Sequence, residues 1–384
     1  MSNTDQNSSS GAPSHPGFNP QIDRLLARMV ESGASDLHIS VPSPPILRIE
    51  GRLVAQNDLP SVQPRDVQDV FDSIATAEQR KAFDRDLELD FAYSLPGRAR
   101  FRVSAMRQRG SVSLAFRFVP FKVPTIDELG LPQICKELVL KPRGLLLISG
   151  AAGSGKSTTL AAMLNHLNET AERNVITIED PIEFLFHNNK CIIRQRELGY
   201  DTKRFDAALV HALRHDPDVV VVGEMRDLPT IGTALTAAET GHLVIGTLHT
   251  IDAAQSVDRV IDMFPAAQQH QVRLQFSQVL LGVLSQVLLP RIGGGRVAAF
   301  EIMPVTPGIR KIIREGNILE ILANLEMGGL EGKRSMDQAL AELVKKGVVA
   351  REEALLKSSN PAKLQEMIAP TSDGRPPLWR GPGK

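Results

Sequence analysis

Residues 145–158 read LLLISGAAGSGKST, and no other stretch narrows the choice of fold as far. Gly150, Gly155, Lys156 and Ser157 satisfy the pattern G-x-x-x-x-G-K-[ST]. An apolar run precedes it, and Leu160, Met163, Leu164 and Leu167 follow at helical spacing. The order is strand, glycine-rich loop, helix. Glycines let successive backbone N–H groups converge on one anion, and the helix start adds the positive end of its dipole. Gly150, Ala151, Ala152, Gly153, Ser154, Gly155, Lys156, Ser157 and Thr158 are therefore expected to cradle the phosphates of a nucleotide. Lys156 neutralises their charge, and Ser157 is placed to ligate Mg²⁺.

From about 133 to 306 apolar strands alternate with helical patterns, which predicts an α/β domain with a mostly parallel sheet. Ahead of it, residues 20–119 read as an α+β domain. Ile22, Leu25, Leu26 and Met29 form a helical stripe; SDLHIS, ILRIEGRLV, LELDFAYSL, ARFRVSAM and VSLAFRFV have strand character, with 64–84 as a helix between them. In two of those strands Arg100, Arg102 and Arg117 alternate with apolar residues, so the arginines fall on the face away from the core. A connector is expected at 120–132 and a helical C-terminal region at 307–368. Residues 1–19 and 369–384, rich in Ser, Asn, Pro and Gly, are expected to be disordered tails.

Composition removes several functions. Lys plus Arg equals Asp plus Glu at 44 each, so no global field draws the chain to nucleic acid. Aromatics at 4% and the lack of a basic stripe also argue against direct nucleic-acid binding. Two distant cysteines, Cys135 and Cys191, exclude a four-cysteine zinc site and fit a reducing cytoplasm. The apolar run 279–289 is broken by Ser285 and Gln286 and is too short to span a bilayer.

Hydrolysis of a bound nucleotide needs carboxylates beside the phosphates. ITIEDPIEF presents Glu179, Asp180 and Glu183 after one strand, and VVVVGEMRD delivers Glu224 after another, with Gly223 where an aspartate is usual. The residues alone do not rank Glu179 against Glu183. His242 and His249 flank a third strand, too far apart to share a metal, and His249 falls at the end where ligands of a parallel sheet gather.

Six further stretches, ITIEDPIEF, LRHDPDVVVVGEMRD, LTAAETGHLVIGTLHT, GGGRVAAFEIM, PGIRKIIREG and GASDLHIS, together with the phosphate loop, resemble the secretion and pilus ATPases that work as hexameric rings, in particular the pilus-retraction branch. The resemblance covers about 20–368. It implies a RecA-like ATPase domain preceded by a PAS-like α+β domain, ATP and Mg²⁺ as cofactors, and a motor that powers pilus retraction, twitching motility and DNA uptake. In its terms Glu183 activates water, Glu224 is the Walker B acid acting on the magnesium with Ser157, His249 belongs to a His box, and Arg102 and Arg117 reach nucleotide at a ring interface, with Arg100 and Arg109 in reserve.

The implied partners are identical subunits in a homohexamer, an inner-membrane platform protein and a paralogous retraction ATPase. The implied location is the cytoplasmic side of the inner membrane at the pilus base. One departure stands out: the C-terminal motif associated with retraction usually reads Ala-Ile-Arg, and here Gly308 precedes Ile309 and Arg310. Alternative readings are an accessory retraction ATPase, an assembly or type II secretion ATPase, and a non-hydrolysing scaffold. The second usually carries a zinc insertion and a further N-terminal domain.

Overall fold

The computed structural model describes residues 20–49, 51–95, 99–119, 123–326 and 332–369. Both expected tails, apart from Ala369, and residues 120–122 of the expected connector lie outside them. The chain divides into two compact units, Met1–Phe121 and Lys122–Lys384.

In the first unit the elements run α1 (Pro20–Glu31), β1 (Asp36–Ile39), β2 (Ile46–Ile49), β3 (Arg52–Ala55), α2 (Pro64–Ile74), α3 (Ala77–Asp86), β4 (Glu88–Leu95), β5 (Ala99–Gln108) and β6 (Ser111–Val119). The strands form one sheet in the order β3-β2-β1-β6-β5-β4, with every neighbouring pair antiparallel. Ile22, Leu26 and Met29 of α1 and Phe71 and Phe83 of the next two helices are buried with Phe101, Val103 and Phe116 of the sheet. Alternation thus sends the apolar residues of β5 inward and Arg102 to the opposite face, directly across from Arg117 of β6.

Two local expectations are corrected. ILRIEGRLV is a hairpin rather than one strand, pairing Ile46 with Ala55. The helix expected over 64–84 is two, because Thr76 starts a new one: its Oγ1 accepts from Gln79 N at 3.2 Å while its own N–H donates to Gln79 Oε1 at 2.8 Å.

The second unit contains α4 (Ile134–Val139), β7 (Gly144–Ser149), α5 (Lys156–Thr170), β8 (Asn174–Glu179), β9 (Ile192–Glu197), α6 (Phe205–Ala212), β10 (Val219–Val222), α7 (Leu228–Glu239), β11 (Leu243–Leu248), α8 (Ala253–Asp262), α9 (Ala266–Val279), β12 (Leu280–Pro290) and β13 (Arg296–Pro304). Sheet order is β13-β12-β7-β11-β10-β8-β9, parallel throughout except for β13. Helices cover both faces, so the four valines of β10 are all buried. From residue 123 the expected connector belongs to this unit, with Ile126 and Leu131 in the core beside Leu138.

Five helices close the chain: α10 (Pro307–Glu315), α11 (Leu319–Glu326), α12 (Met336–Lys345), α13 (Arg351–Lys357) and α14 (Pro361–Ile368). They divide between two cores. Ile309, Ile313, Ile321 and Leu325 pack with Phe276 of α9, whereas Leu340, Ala354 and Leu364 pack with Leu289 and Ala299 of the β12–β13 hairpin. No described helix is long and apolar enough to cross a membrane.

Candidate active site

The C-terminal ends of β7, β8, β10 and β11 share one sheet edge, where ligands of parallel sheets collect. The loop after β7 turns sharply there. Gly155 has φ of 92° and caps α5 without a side-chain bond, which leaves the first amides of α5 uncapped by any side chain. At Gly150 a Cβ would stand 2.4 Å from the Gln286 carbonyl oxygen and 2.5 Å from Ser154 Oγ, so the loop is seated against β12 as only glycine permits. Gln286 Nε2 donates to the Ser154 carbonyl at 2.7 Å. Lys156 Nζ donates to the carbonyls of Gly150 at 2.6 Å and Ala151 at 3.1 Å. Desolvation lowers the pKa of Lys156, while the charges of Glu224 and Glu183 work the other way. Ala151, Ala152 and Gly153 are exposed; Ser157 and Thr158 are half-buried on the first turn of α5.

Beyond β8, burial separates the two glutamates that the residues alone leave unranked. Glu179 Oε1 accepts from Thr177 Oγ1 at 2.6 Å and Gln195 Nε2 at 3.0 Å. Desolvation pushes its pKa up, against those bonds. Glu183 is exposed. Of the two, Glu183 is the one that solvent reaches readily.

At the ends of β10 and β11, Glu224 Oε1 lies 3.0 Å from His249 Nε2, and both Glu224 oxygens accept from the Arg226 guanidinium. Burial works against the ionised form of Glu224, but the bonds from Arg226 and His249 hold its carboxyl below the usual range. Gly223 is the close-approach position before that acid: its N–H donates to the Ile178 carbonyl at 2.7 Å, and a Cβ would stand 2.9 Å from the same oxygen. Gly246 of β11 plays a related part. A Cβ there would stand 2.4 Å from Met225 Sδ, and Met225 is buried between the half-buried Glu224 and the exposed Arg226. Glu224, Arg226, His249, Gln255 and Arg259 line a cleft of about 490 Å³.

The structure thus brings Lys156, Glu183, Glu224 and His249 to one edge. His242 is at the other end of β11, its Nδ1 3.1 Å from the Ala237 carbonyl at the close of α7. Arg102 and Arg117 lie in the first unit and are paired there, with Asp90 at 3.2 Å and Asp36 at 2.9 Å. Arg226 and Gln286 are absent from the sequence-based set, since neither falls at a spacing that marks a partner. In the C-terminal motif, Ile309 is fully buried and Arg310 Nη1 donates to the Ser277 carbonyl and, at 2.7 Å, to that of Gln278, closing the end of α9. Around Gly308 a Cβ would meet only Thr306 Oγ1, at 3.7 Å.

The sequence pattern of the family described as "Type II/IV secretion system protein" is matched over residues 14–356. A Pseudomonas aeruginosa protein named type IV pilus retractation ATPase PilT is 49% identical over 340 residues, 88% of this chain and 98% of that one. From the same organism, a protein named type IV pilus ATPase PilU is 38% identical over 349 residues, 91% of each chain. A crystal structure of the pilus retraction motor PilT with bound ADP superposes with a TM-score of 0.85 at 43% identity, covering 90% of this chain and 99% of that one. A match over 88% of the chain in sequence and 90% in fold, with the phosphate loop, Glu224 and His249 gathered at one sheet edge, places the chain in the type II/IV secretion system protein family, among its pilus-retraction ATPases.

Proposed function

We propose that this chain is the motor subunit that hydrolyses ATP to power retraction of type IV pili, and with it twitching motility and DNA uptake. The observation that carries the reading is the cluster of Lys156, Glu183, Glu224 and His249 in a chain 49% identical to a protein named as a pilus retraction ATPase. The lower identity to the relative named PilU, 38%, favours the principal over the accessory motor.

In this reading the amides of 150–158 and the Lys156 ammonium hold the phosphates, and Glu183 takes the proton of the attacking water as ADP leaves. Ser157 and Glu224 are oxygen donors, which suits Mg²⁺ carried in on the phosphates, with Glu224 acting through a water. Mg²⁺ supplies charge neutralisation on the transferred group. His249 fixes the direction of the Glu224 carboxylate. Arg102 and Arg117 leave their aspartates to reach the nucleotide of a neighbouring subunit in a homohexamer. The ring docks on an inner-membrane platform protein at the cytoplasmic base of the pilus, alongside a paralogous retraction ATPase.

Phosphate release by the purified protein tests the reading. Lys156→Ala abolishes turnover and nucleotide binding, and Glu183→Gln binds nucleotide but does not hydrolyse it; undiminished turnover in either variant sinks the assignment. Deleting the gene separates the cellular roles. Accumulated, non-retracting pili support retraction, and absent pili support assembly.

A further inference from the structure

A buried carboxylate that the chemistry above does not use stands where two helices begin. Glu301 of β13 is 3% exposed. Its Oε1 accepts from Ala253 N at 2.7 Å, and the Met336 amide faces the same carboxylate, held near it by the main-chain pair Ile302 and Arg334 at 2.8 and 3.0 Å. Ala253 and Met336 are the first residues of α8 and α12.

The opening N–H groups of a helix have no partner inside it. At α8 the Asp252 side chain takes the Gln255 amide, 2.7 Å, and at α12 Ser335 takes that of Gln338, 3.3 Å, which leaves the Ala253 amide to Glu301 and the Met336 amide facing it. Two positive helix ends therefore converge on one anion. Asp252 and Asp337 are the anions that face it from those helices, and across β12 its register partner is the uncharged Ser285.

The two helices belong to different parts of the molecule. α8 begins four residues after His249, and the turn between them is tied to it: Thr250 Oγ1 lies 2.7 Å from Ser256 Oγ, which bonds the Asp252 carbonyl at 2.7 Å. α12 packs in the C-terminal core with Leu289 and Leu364. Ser285 in turn bonds Ser149, the residue before the phosphate loop, at 2.8 Å.

We propose that Glu301 is a positioning residue that couples the C-terminal helices to the His249 segment, so that a change at the start of α12 alters ATP turnover without any contact to nucleotide. An acid bonded to one helix end and facing another, on a strand tied to that second end through Ile302 and Arg334, is a physical link of the kind coupling requires, because neither end can shift without changing the field at the other. The kinetic part rests on the ATPase reading given above; the exchange part does not.

The test uses the full-length protein. Glu301→Gln keeps the size and one acceptor but loses the charge. It should lower kcat about tenfold with KM for ATP and ADP affinity unchanged, as loss of an orienting partner does. Hydrogen exchange should quicken together at 251–256 and at 335–339. Ser335→Ala, which weakens the start of α12 outside the phosphate loop and its acids, should lower kcat about threefold in the native background and add nothing to Glu301→Gln. Exchange that quickens at one helix alone, or a Ser335→Ala effect undiminished in the double variant, overturns the coupling. Should Glu301→Gln fail to fold, Ser335→Ala decides by itself, since unchanged turnover overturns the proposal. An inactive native protein with paired exchange would instead refute the ATPase reading and leave the link standing.

Discussion

His249 Nε2 stands 3.0 Å from Glu224 Oε1, across the ends of two adjacent parallel strands. The imidazole and the Arg226 guanidinium grip the acid from two sides, so its direction is set before any cation approaches it. His249→Ala removes one grip. Turnover should fall by about 10- to 100-fold, the usual cost of losing an orienting partner. ADP affinity, which depends on the phosphate loop, should hold, and titration calorimetry beside a phosphate-release assay separates the two.

Two glycines should respond in opposite directions to alanine. At Gly223 the new methyl group would meet the Ile178 carbonyl at 2.9 Å and Glu179 Cα at 3.1 Å inside a packed sheet. A loss of about 1–3 kcal/mol is expected, as for other overpacked cores. A Cβ at Gly308 would make only an ordinary contact with Thr306 Oγ1, at 3.7 Å, so alanine should raise stability by up to about 1 kcal/mol through helix propensity. Urea denaturation of both variants checks the contrast.

Arg310→Ala should expose what the C-terminal motif does for the fold. Its guanidinium closes the last carbonyls of α9, at Ser277 and Gln278. A loss of about 1.5–3 kcal/mol is expected for charged hydrogen bonds. Arg310→Lys should recover part of it, because an ammonium keeps the charge but not the fork.

Glu301 makes stability depend on pH in a defined direction. Burial raises its carboxyl from 4.5 to about 7, opposed by the Ala253 amide and reinforced by Asp252. A folded-state pKa above the unfolded one favours folding at low pH. That advantage is complete below about 4.5 and is lost as pH rises through about 7. Carboxylates with lowered values, such as Glu224, act the other way, so the quantity to follow is the difference between native protein and Glu301→Gln. Relative to the variant, the native protein should lose on the order of 3 kcal/mol across that window. A flat difference would show that the group is ionised throughout.

The residues that carry local chemistry were legible in the sequence, and those that act through distant partners were not. The strand, glycine loop and helix around Lys156 need only neighbours in sequence, and the stripe of Ile22, Leu26 and Met29 declares its own face. Thr76-Ala-Glu-Gln79 is also a local signal, a capping box that a reading by hydrophobic period passes over. Glu301 is different. It stands in an apolar strand, and the amides that face it come from Ala253 and Met336, on either side of it in the chain and far away in both directions. Likewise, burial of Glu179 depends on β9, whose Gln195 reaches back to it, and periodicity within β8 carries no trace of that.

Met225 fits into the hollow left by the missing side chain of Gly246, and this has a bearing on how variants of the chain should be judged. Residue 225 points into the core and its neighbours 224 and 226 into the cleft, so the hollow on β11 bears on an acid that follows a different strand. One methyl group there would displace the Met225 thioether, and any movement of residue 225 is passed to its neighbour Glu224 while no charged residue is changed. A substitution at 246 would look like a minor core change in a survey of stability, so phosphate release measured beside nucleotide binding is the readout that reports on the aim of the acid.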